Sequence, residues 1–288
     1  MKIDYNYYNQ YYFNLTTQFE MRKVMWNREF AMLSDGMMIR HMRFHRVQDF
    51  QFWRKYLWGR FKSKPFNFYY SLARYDNGVP PVKWYEETWE ERKQDWAKKY
   101  IKEMVSYDFL IDVDSPTHEK EDMEMAHYST KIIKEHLDKH KVAYELRFSG
   151  MGYHIIIPYR YLPKLSMNPA DDVNIYKYLT RILKSLSSNF SEFVDTGICD
   201  SRRVTKIPYS LACYNTKELL FDAYMCFPFL DSESFLKFKY DDAEPEFWIN
   251  TWQNIMKDRG YNVFNIDSSM ENFKNFAHSL GVYETDNP

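Results

Sequence analysis

The chain has 288 residues, 39 Lys+Arg against 40 Asp+Glu, 45% hydrophobic residues and 19% aromatic residues. That balance excludes a disordered chain, and the length suffices for one large core or two smaller ones. A net charge of −1 argues against a protein that simply coats nucleic acid through a basic surplus, and neither the polar N-terminus nor any apolar run reads as a signal peptide or a membrane span.

The charge is unevenly spread. Residues 1–65 hold 12 Lys+Arg and 5 Asp+Glu, a surplus of +7, which leaves −8 for the remainder. A basic N-terminal part beside an acidic remainder suits either a polyanion groove next to a metal site or ordinary surface variation. Cys199, Cys213 and Cys226 are odd in number and form no C-x-x-C pair. Neither a disulfide framework nor a zinc site is therefore expected, and a reducing cytoplasm is the simplest compartment.

In chain order, a Tyr-rich helical opening precedes two apolar runs, 29–33 and 37–44, separated by Ser34-Asp35-Gly36, a strong hairpin signal. Residues 47–62 read as an amphipathic helix, 66–75 as a strand, and 85–105 as a charged helix with apolar positions at helical spacing. The middle is clearer. Residues 107–113 form a buried strand, and Ser115-Pro116 predicts the cap and first turn of a helix running to about Lys141. Strands at 142–148 and 153–158 flank a tight Ser149-Gly150-Met151-Gly152 turn; a helix over 169–189 and an extended segment from 192 to 195 follow. The order strand–helix–strand–strand–helix–strand is the split βαβ, ferredoxin-like or RRM-like unit. Strands at 203–212 and 218–225 and a mainly helical tail over 231–288 complete an α/β (α+β) chain. Its expected parts are 1–105, a basic N-terminal α/β part; 106–230, the RRM-like catalytic part; and 231–288, a helical segment packed on the same domain.

Alternate residues of a strand share a face, so Asp112 and Asp114 project together from the end of an apolar strand. Two carboxylates this close repel unless a cation lies between them, and hard divalent ions favour such oxygen ligands; solvated carboxylates at a strand end are the plainer alternative. In the split βαβ topology the first strand lies between the third and the fourth. The end carrying Asp112 and Asp114 then neighbours His154 and Asp195, so four distant polar residues converge on one sheet edge. Glycines 150 and 152 let backbone N–H groups approach an anion, with Ser149 adding a hydroxyl. Asp200, Arg202, Arg203 and Lys206 form a cation-rich stretch in which Arg202 and Lys206 share one strand face, suited to a triphosphate or to a charged edge strand. His136 and His140, four apart on a helix, are better explained as surface histidines than as ligands. Trp53, Trp58 and Trp84 are the better base-stacking candidates among many aromatics that mostly build the core.

These residues resemble the archaeo-eukaryotic primase superfamily, and within it the small catalytic subunit of archaeal and eukaryotic DNA primases. The resemblance spans Arg28 to Tyr214. It rests on Arg28-Glu29-Phe30 with Arg40, on Tyr70-Ser71-Leu72-Ala73-Arg74-Tyr75, and on Phe109-Leu110-Ile111-Asp112-Val113-Asp114. It continues with Ser149-Gly150-Met151-Gly152-Tyr153-His154, Asp195, and Lys206-Ile207-Pro208-Tyr209-Ser210-Leu211. The family's fold joins an N-terminal α/β unit to an RRM-like catalytic unit. The resemblance implies template-directed nucleotidyl transfer on single-stranded DNA from NTPs or dNTPs. Asp112, Asp114 and Asp195 would hold two divalent ions, Mg²⁺ or Mn²⁺, and Ser149, Gly150, His154, Arg203, Lys206 and Arg40 would bind the nucleotide. Glu29, Asp200, Arg202 and Ser210 would support them.

Three departures stand out. Met151 occupies a turn position that is often basic in the family, the turn is one residue shorter, and Ala212 stands where the family usually has a histidine. No Cys/His cluster lies between His154 and Asp195, so no zinc element is expected, and the chain looks like a compact plasmid, viral or accessory member. A two-metal nuclease and a non-catalytic RRM-like replication accessory factor are the rival readings. The low net charge implies weak, salt-sensitive template binding, with a large subunit, a helicase or another domain supplying affinity in a replication-associated, cytoplasmic setting without a membrane.

Overall fold

In a computed structural model of the chain, residues 1–34, 36–42, 64–78, 100–117, 119–243 and 262–285 are described. The expected helix at 47–62, most of that at 85–105, and Trp53, Trp58 and Trp84 lie outside them. Contacts divide the chain into two compact units, one built on Met1–Ser106 and Val204–Cys226, the other on Tyr107–Arg203 and Phe227–Asp242 with the C-terminal residues.

The first unit starts with β1 (Lys2–Ile3), α1 (Tyr5–Phe13) and α2 (Leu15–Arg22). Asp4 caps α1 by accepting a hydrogen bond from the Tyr7 amide at 2.8 Å. β2 (Phe30–Ser34) and β3 (Met37–Met42) form the expected antiparallel hairpin, with Ser34 opposite Met37. The expected strand at 66–75 is broken at Leu72 into β4 (Asn67–Ser71) and β5 (Ala73–Tyr75), and β5 pairs with β6 (Met104–Tyr107).

The tyrosines of α1 do more than fill space. Tyr8, Tyr11 and Tyr12 are fully buried, and each hydroxyl meets backbone: Tyr8 donates to the Phe66 carbonyl at 3.0 Å, Tyr11 to the Tyr209 carbonyl at 2.7 Å, and Tyr12 accepts from the Leu211 amide at 2.7 Å. Burial first, then neighbouring tyrosine and cysteine side chains, pushes the Tyr11 and Tyr12 hydroxyls well above their ordinary value, so both are neutral partners. These bonds draw in the later segment 204–226, where β10 (Val204–Lys206) pairs with β4 while β11 (Leu211–Tyr214) and β12 (Phe221–Met225) join β1. The sequence grouping placed this segment with residues 106–203. Its strand partners and hydroxyl ties instead group it with the N-terminal part, a long-range pairing that local patterns do not encode.

The second unit is the split βαβ arrangement. It comprises β7 (Phe109–Asp114), α3 (Lys120–Lys139), β8 (Glu145–Phe148), β9 (Gly152–Ile157) and α4 (Ile175–Asn189). Residues 193–195 then return beside β7. β13 (Phe227–Pro228) extends the sheet beside β8, giving the order β13-β8-β9-β7. Ile133 and Leu137 of α3, and Leu179, Ile182 and Leu186 of α4, recur at helical spacing and are buried. The tail holds α5 (Ser232–Lys237) and α6 (Met270–Ser279), both closed by capping boxes.

Two helix starts differ from expectation. Ser115 is not the cap of α3: its hydroxyl donates to the Thr117 carbonyl, and the helix begins at Lys120 after Glu119. α4 begins at Ile175, because the Asn174 side chain accepts from the Lys177 amide at 3.0 Å and turns occupy the preceding residues. Cys199, Cys213 and Cys226 are all free thiols, and among the described residues no helix is long and apolar enough to cross a membrane.

His127 of α3 stacks on Phe235 with ring centres 4.5 Å apart, and its Nδ1 meets the Tyr153 hydroxyl at 2.8 Å. Burial, then the charge of Lys131, holds this imidazole below its ordinary value of 6.5. Unfolding therefore takes up a proton within that window: the contribution to stability is complete above the ordinary value and is lost as pH falls through the lowered one. Between about pH 7 and pH 5 the melting temperature of wild type should fall more than that of His127→Gln, which cannot titrate. Parallel curves for the two proteins would contradict this.

Candidate active site

β7 is held on both edges. On one side β9 runs antiparallel to it, with Asp112 opposite His154 and Asp114 opposite Gly152. On the other, the Asp195 amide donates to the Asp112 carbonyl at 2.9 Å and the Asp114 amide to the Phe193 carbonyl at 3.0 Å, around an antiparallel bridge between Val113 and Val194. Residues opposite one another share a face. The register thus lays Arg147, His154, Asp112 and Asp195 in one row across the sheet, with Asp114 one step further along the same face.

The alternate row, Phe148, Tyr153, Val113 and Val194, is buried and apolar, and the Tyr153 hydroxyl meets His127 of α3. Helix packing therefore takes the odd-numbered residues of β7 and leaves the carboxylates on the opposite face. Asp112 is largely enclosed, its side chain 16% exposed, and its Oδ1 lies 3.3 Å from the His154 Nε2. Asp114 and Asp195 are exposed, and the Asp195 Oδ1 accepts the Gly197 amide at 2.8 Å.

The turn that joins β8 to β9 sets this register. The Ser149 amide donates to the Gly152 carbonyl at 2.9 Å, closing a hairpin whose loop is Gly150-Met151. Gly150 has φ 102°, a conformation in which a side chain is strained. The Met151 carbonyl accepts the Ser115 amide at 3.1 Å, which fastens the turn to the end of β7. Gly152 is required for space: a Cβ there would lie 2.1 Å from the Val113 carbonyl oxygen and 2.9 Å from the Asp114 Cα.

Arg147 belongs to none of the sequence motifs. It is 1% exposed, one of the most deeply buried large side chains, and it bonds the Glu145 carboxylate at 3.0 Å. The signal was present in the two-residue loop, which fixes Arg147 opposite His154 once Ser149 is set opposite Gly152.

The cation-rich stretch is not one strand. Arg202 and Arg203 lie in a turn, and β10 starts only at Val204. The Arg203 guanidinium spans the loop after Asp195, donating to the Ile198 and Gly197 carbonyls at 3.0 Å each and standing 3.4 Å from Asp200. Asp200 accepts the Arg202 amide at 2.7 Å, and Arg202 is exposed.

The remaining residues sit in the first unit. Lys206 lies over the Tyr214 ring and bonds its hydroxyl at 2.8 Å. The Ser210 hydroxyl donates to the Ile207 carbonyl at 2.6 Å, within the turn that follows β10. Arg40 grips Glu29 in a two-point ion pair of 2.9 and 2.8 Å, with Glu29 wholly buried. Burial pulls the Arg40 guanidinium down, but the bonds and charge of Glu29 outweigh it and hold the group above its ordinary value. Arg28 donates to the Ser71 and Leu72 carbonyls at 2.8 Å each, which fixes the chain at the break between β4 and β5. His136 meets the Ser279 hydroxyl at 2.9 Å and packs between Phe190 and Phe276, an inter-helix role.

Asp112, Asp114 and Asp195 form an all-oxygen donor set on one edge, the chemistry hard divalent ions take. As their side chains are turned, no three His, Cys, Asp or Glu groups among the described residues gather closely enough to hold one ion. Both Asp114 and Asp195 are exposed, so they can rotate without disturbing the core.

No protein-family model matches the chain, and no curated protein matches it in sequence. Solved structures do match it. The polymerase domain of Mycobacterium tuberculosis ligase D, in complex with DNA, aligns with a TM-score of 0.50 and 11% identity over 87% of this chain and 89% of that one. The catalytic domain of the primase Repb′, in complex with initiator DNA, aligns with a TM-score of 0.34 and 12% identity over 84% and 98%. The chain thus has a mixed α/β fold with several antiparallel sheets, shared with a polymerase domain.

Gly152→Ala tests the close approach. Its Cβ cannot fit beside Val113 unless β9 moves from β7, so the variant should lose about 3 kcal/mol of stability or more, at or beyond the upper end for overpacking. Chemical denaturation measures this, and a loss below about 1 kcal/mol would mean that the strands part easily there.

Proposed function

We propose that the chain is a template-directed nucleotidyltransferase, a DNA primase or primase–polymerase of the archaeo-eukaryotic type. The observation that carries this reading is the row of Asp112, His154 and Asp195, with Asp114 beside it, at the end of the central strand of a split βαβ unit. The likeness in fold to a DNA-bound polymerase domain supports it.

Asp112, Asp114 and Asp195 would hold divalent ions, Mg²⁺ or Mn²⁺. Ions held by these carboxylates would supply activation of a 3′-hydroxyl and neutralisation of charge on the transferring phosphoryl group and the leaving pyrophosphate. His154, beside Asp112, would orient that carboxylate and contact the incoming triphosphate. The Ser149–Gly152 turn would offer its hydroxyl and backbone amides to the same group. Arg203 would hold the loop that follows Asp195. Single-stranded DNA is the template in this reading, and a partner domain or subunit supplies part of the grip on it.

Incubating the chain with a primed or unprimed DNA template, labelled nucleotides and Mg²⁺ or Mn²⁺ tests the proposal. Template-dependent product should form, and Asp112→Ala should reduce it at least about 100-fold, the scale on which removing one charge-stabilising group acts. Product that survives this change would overturn the carboxylate assignment. Template shortening with no product would replace the proposal with a nuclease.

A further inference from the structure

Among the described residues the strongly exposed aromatics are Phe13, Phe19, Trp26, Tyr128 and Tyr283, and the first three fall within 14 consecutive residues. Exposed aromatics scattered singly need no explanation, but a cluster on one short segment does. Phe13 is 59% exposed, Phe19 54% and Trp26 65%. The same segment buries Thr17, Gln18, Glu20, Met21 and Met25. The sequence thus spends its small, amide and thioether side chains on the core while it shows its flat rings to water. This inverts the usual hydrophobic order, and the core is already built from the tyrosines of α1.

The charge beside the rings is selective. Lys23 lies 5.7 Å from the centre of the Phe19 ring, and Arg22 closes the last turn of α2. The one acid between Phe13 and Trp26 is Glu20, which is buried and bonded to Lys23 at 2.6 Å. No carboxylate of the segment between Phe13 and Trp26 therefore reaches the solvent side, although Asp76, exposed and bonded through its carbonyl to Asn27, lies next to Trp26 in the fold. Flat rings interleaved with cations fit one chemistry well: unpaired bases stack on the rings while phosphates pass the cations. A duplex does not fit, because its bases are already stacked on each other.

We propose that Phe13, Phe19 and Trp26, flanked by Arg22 and Lys23, form a base-stacking surface for single-stranded nucleic acid. Stacking, rather than phosphate contact, carries most of its affinity, since only two cations take part. Binding there should consequently depend weakly on salt, unlike a grip made of many phosphate contacts. The surface lies in the first unit, whereas the carboxylate row belongs to the second. The proposal extends the nucleotidyltransferase reading but does not need it, since stacking requires neither metal nor catalysis.

The test is fluorescence anisotropy of labelled oligothymidylate with the full chain in EDTA, where no synthesis occurs. Phe19→Ala and Trp26→Ala should each weaken binding by roughly 5- to 150-fold, the range that about 1–3 kcal/mol per stacked base represents. Phe19→Tyr and Trp26→Phe should restore most of it. The aromatic variants should keep the wild-type salt slope, while Lys23→Gln should lower it by about 0.7. Both rings are exposed, so thermal melts of the variants should match wild type. Wild-type affinity in both alanine variants would overturn the proposal. So would a self-associating chain that Trp26→Ala renders monomeric, because the rings would then be a contact between copies. If the alanine variants lose binding but wild type makes no product, this surface stands and the catalytic reading fails. If wild type synthesises DNA and the alanine variants bind normally, the reverse holds.

Discussion

The close approach of β9 to β7 at Gly152 is the constraint on which the candidate site depends. The Val113 carbonyl occupies the space a side chain at 152 would need. At that point the sheet is closed by backbone alone, and the register is held by the hairpin at Gly150-Met151 and by the bond from Ser115 to Met151. Side chains alternate with a period of two, so a slip of one residue would turn Asp112 and Asp114 towards the helices and Val113 towards the polar row. A strand buried on one face by α3 cannot tolerate that inversion. The apolar residues that fix the strand and the carboxylates that give it chemistry are thus two readings of one register.

The second edge of β7 adds what the hairpin cannot. Residues 193–195 make only a short bridge, yet it brings the backbone of Asp195 against that of Asp112. Two carboxylates placed side by side in this way repel. The arrangement is bearable because Asp195 is exposed and bonded to the Gly197 amide, and because His154 stands beside Asp112. Arg147, buried at the other end of the row, adds a fixed positive charge to the same face. Along the row the charge runs from a cation through an imidazole to two carboxylates, a gradient fixed by strand register rather than by loop conformation.

What was legible in the sequence was what short-range chemistry determines. Asp35-Gly36 between apolar runs marked a hairpin, and the paired glycines at 150 and 152 marked another, because Gly36 and Gly150 have positive φ and Gly152 has no room for a side chain. The split βαβ order followed from the alternation of periods, and with it the meeting of Asp112, His154 and Asp195. The helix starts were misread because Ser115-Pro116 satisfies a capping pattern that the chain uses for a turn, while Asn174, five residues after Pro169, holds the actual cap of α4. Arg147 was missed because a buried arginine looks like any charged residue until its strand partner is known. The grouping of 204–226 was missed because Tyr11 and Tyr12, about 200 positions away, supply the hydroxyls that hold it.

The stretch from Asp200 to Lys206 shows why composition alone could not assign roles. Three cations in five positions read as one strand, suited to a triphosphate or to a charged edge. The chain instead passes from the second compact unit to the first between Arg203 and Val204. Arg203 spends its guanidinium on two carbonyls of the loop that carries Asp195, so its charge acts first on the shape of that loop. Lys206, paired across β10 with Tyr69 and laid on Tyr214, is fixed by the N-terminal sheet. Neighbours in sequence therefore answer to different cores. The near-neutral total charge is consistent with this: most of the cations followed here, Arg28, Arg40, Arg147 and Arg203 among them, are bound to carbonyls or carboxylates of the protein itself. The charge of these four arginines therefore acts first on the protein's own backbone and carboxylates, and each fixes a strand or loop before it can meet any ligand.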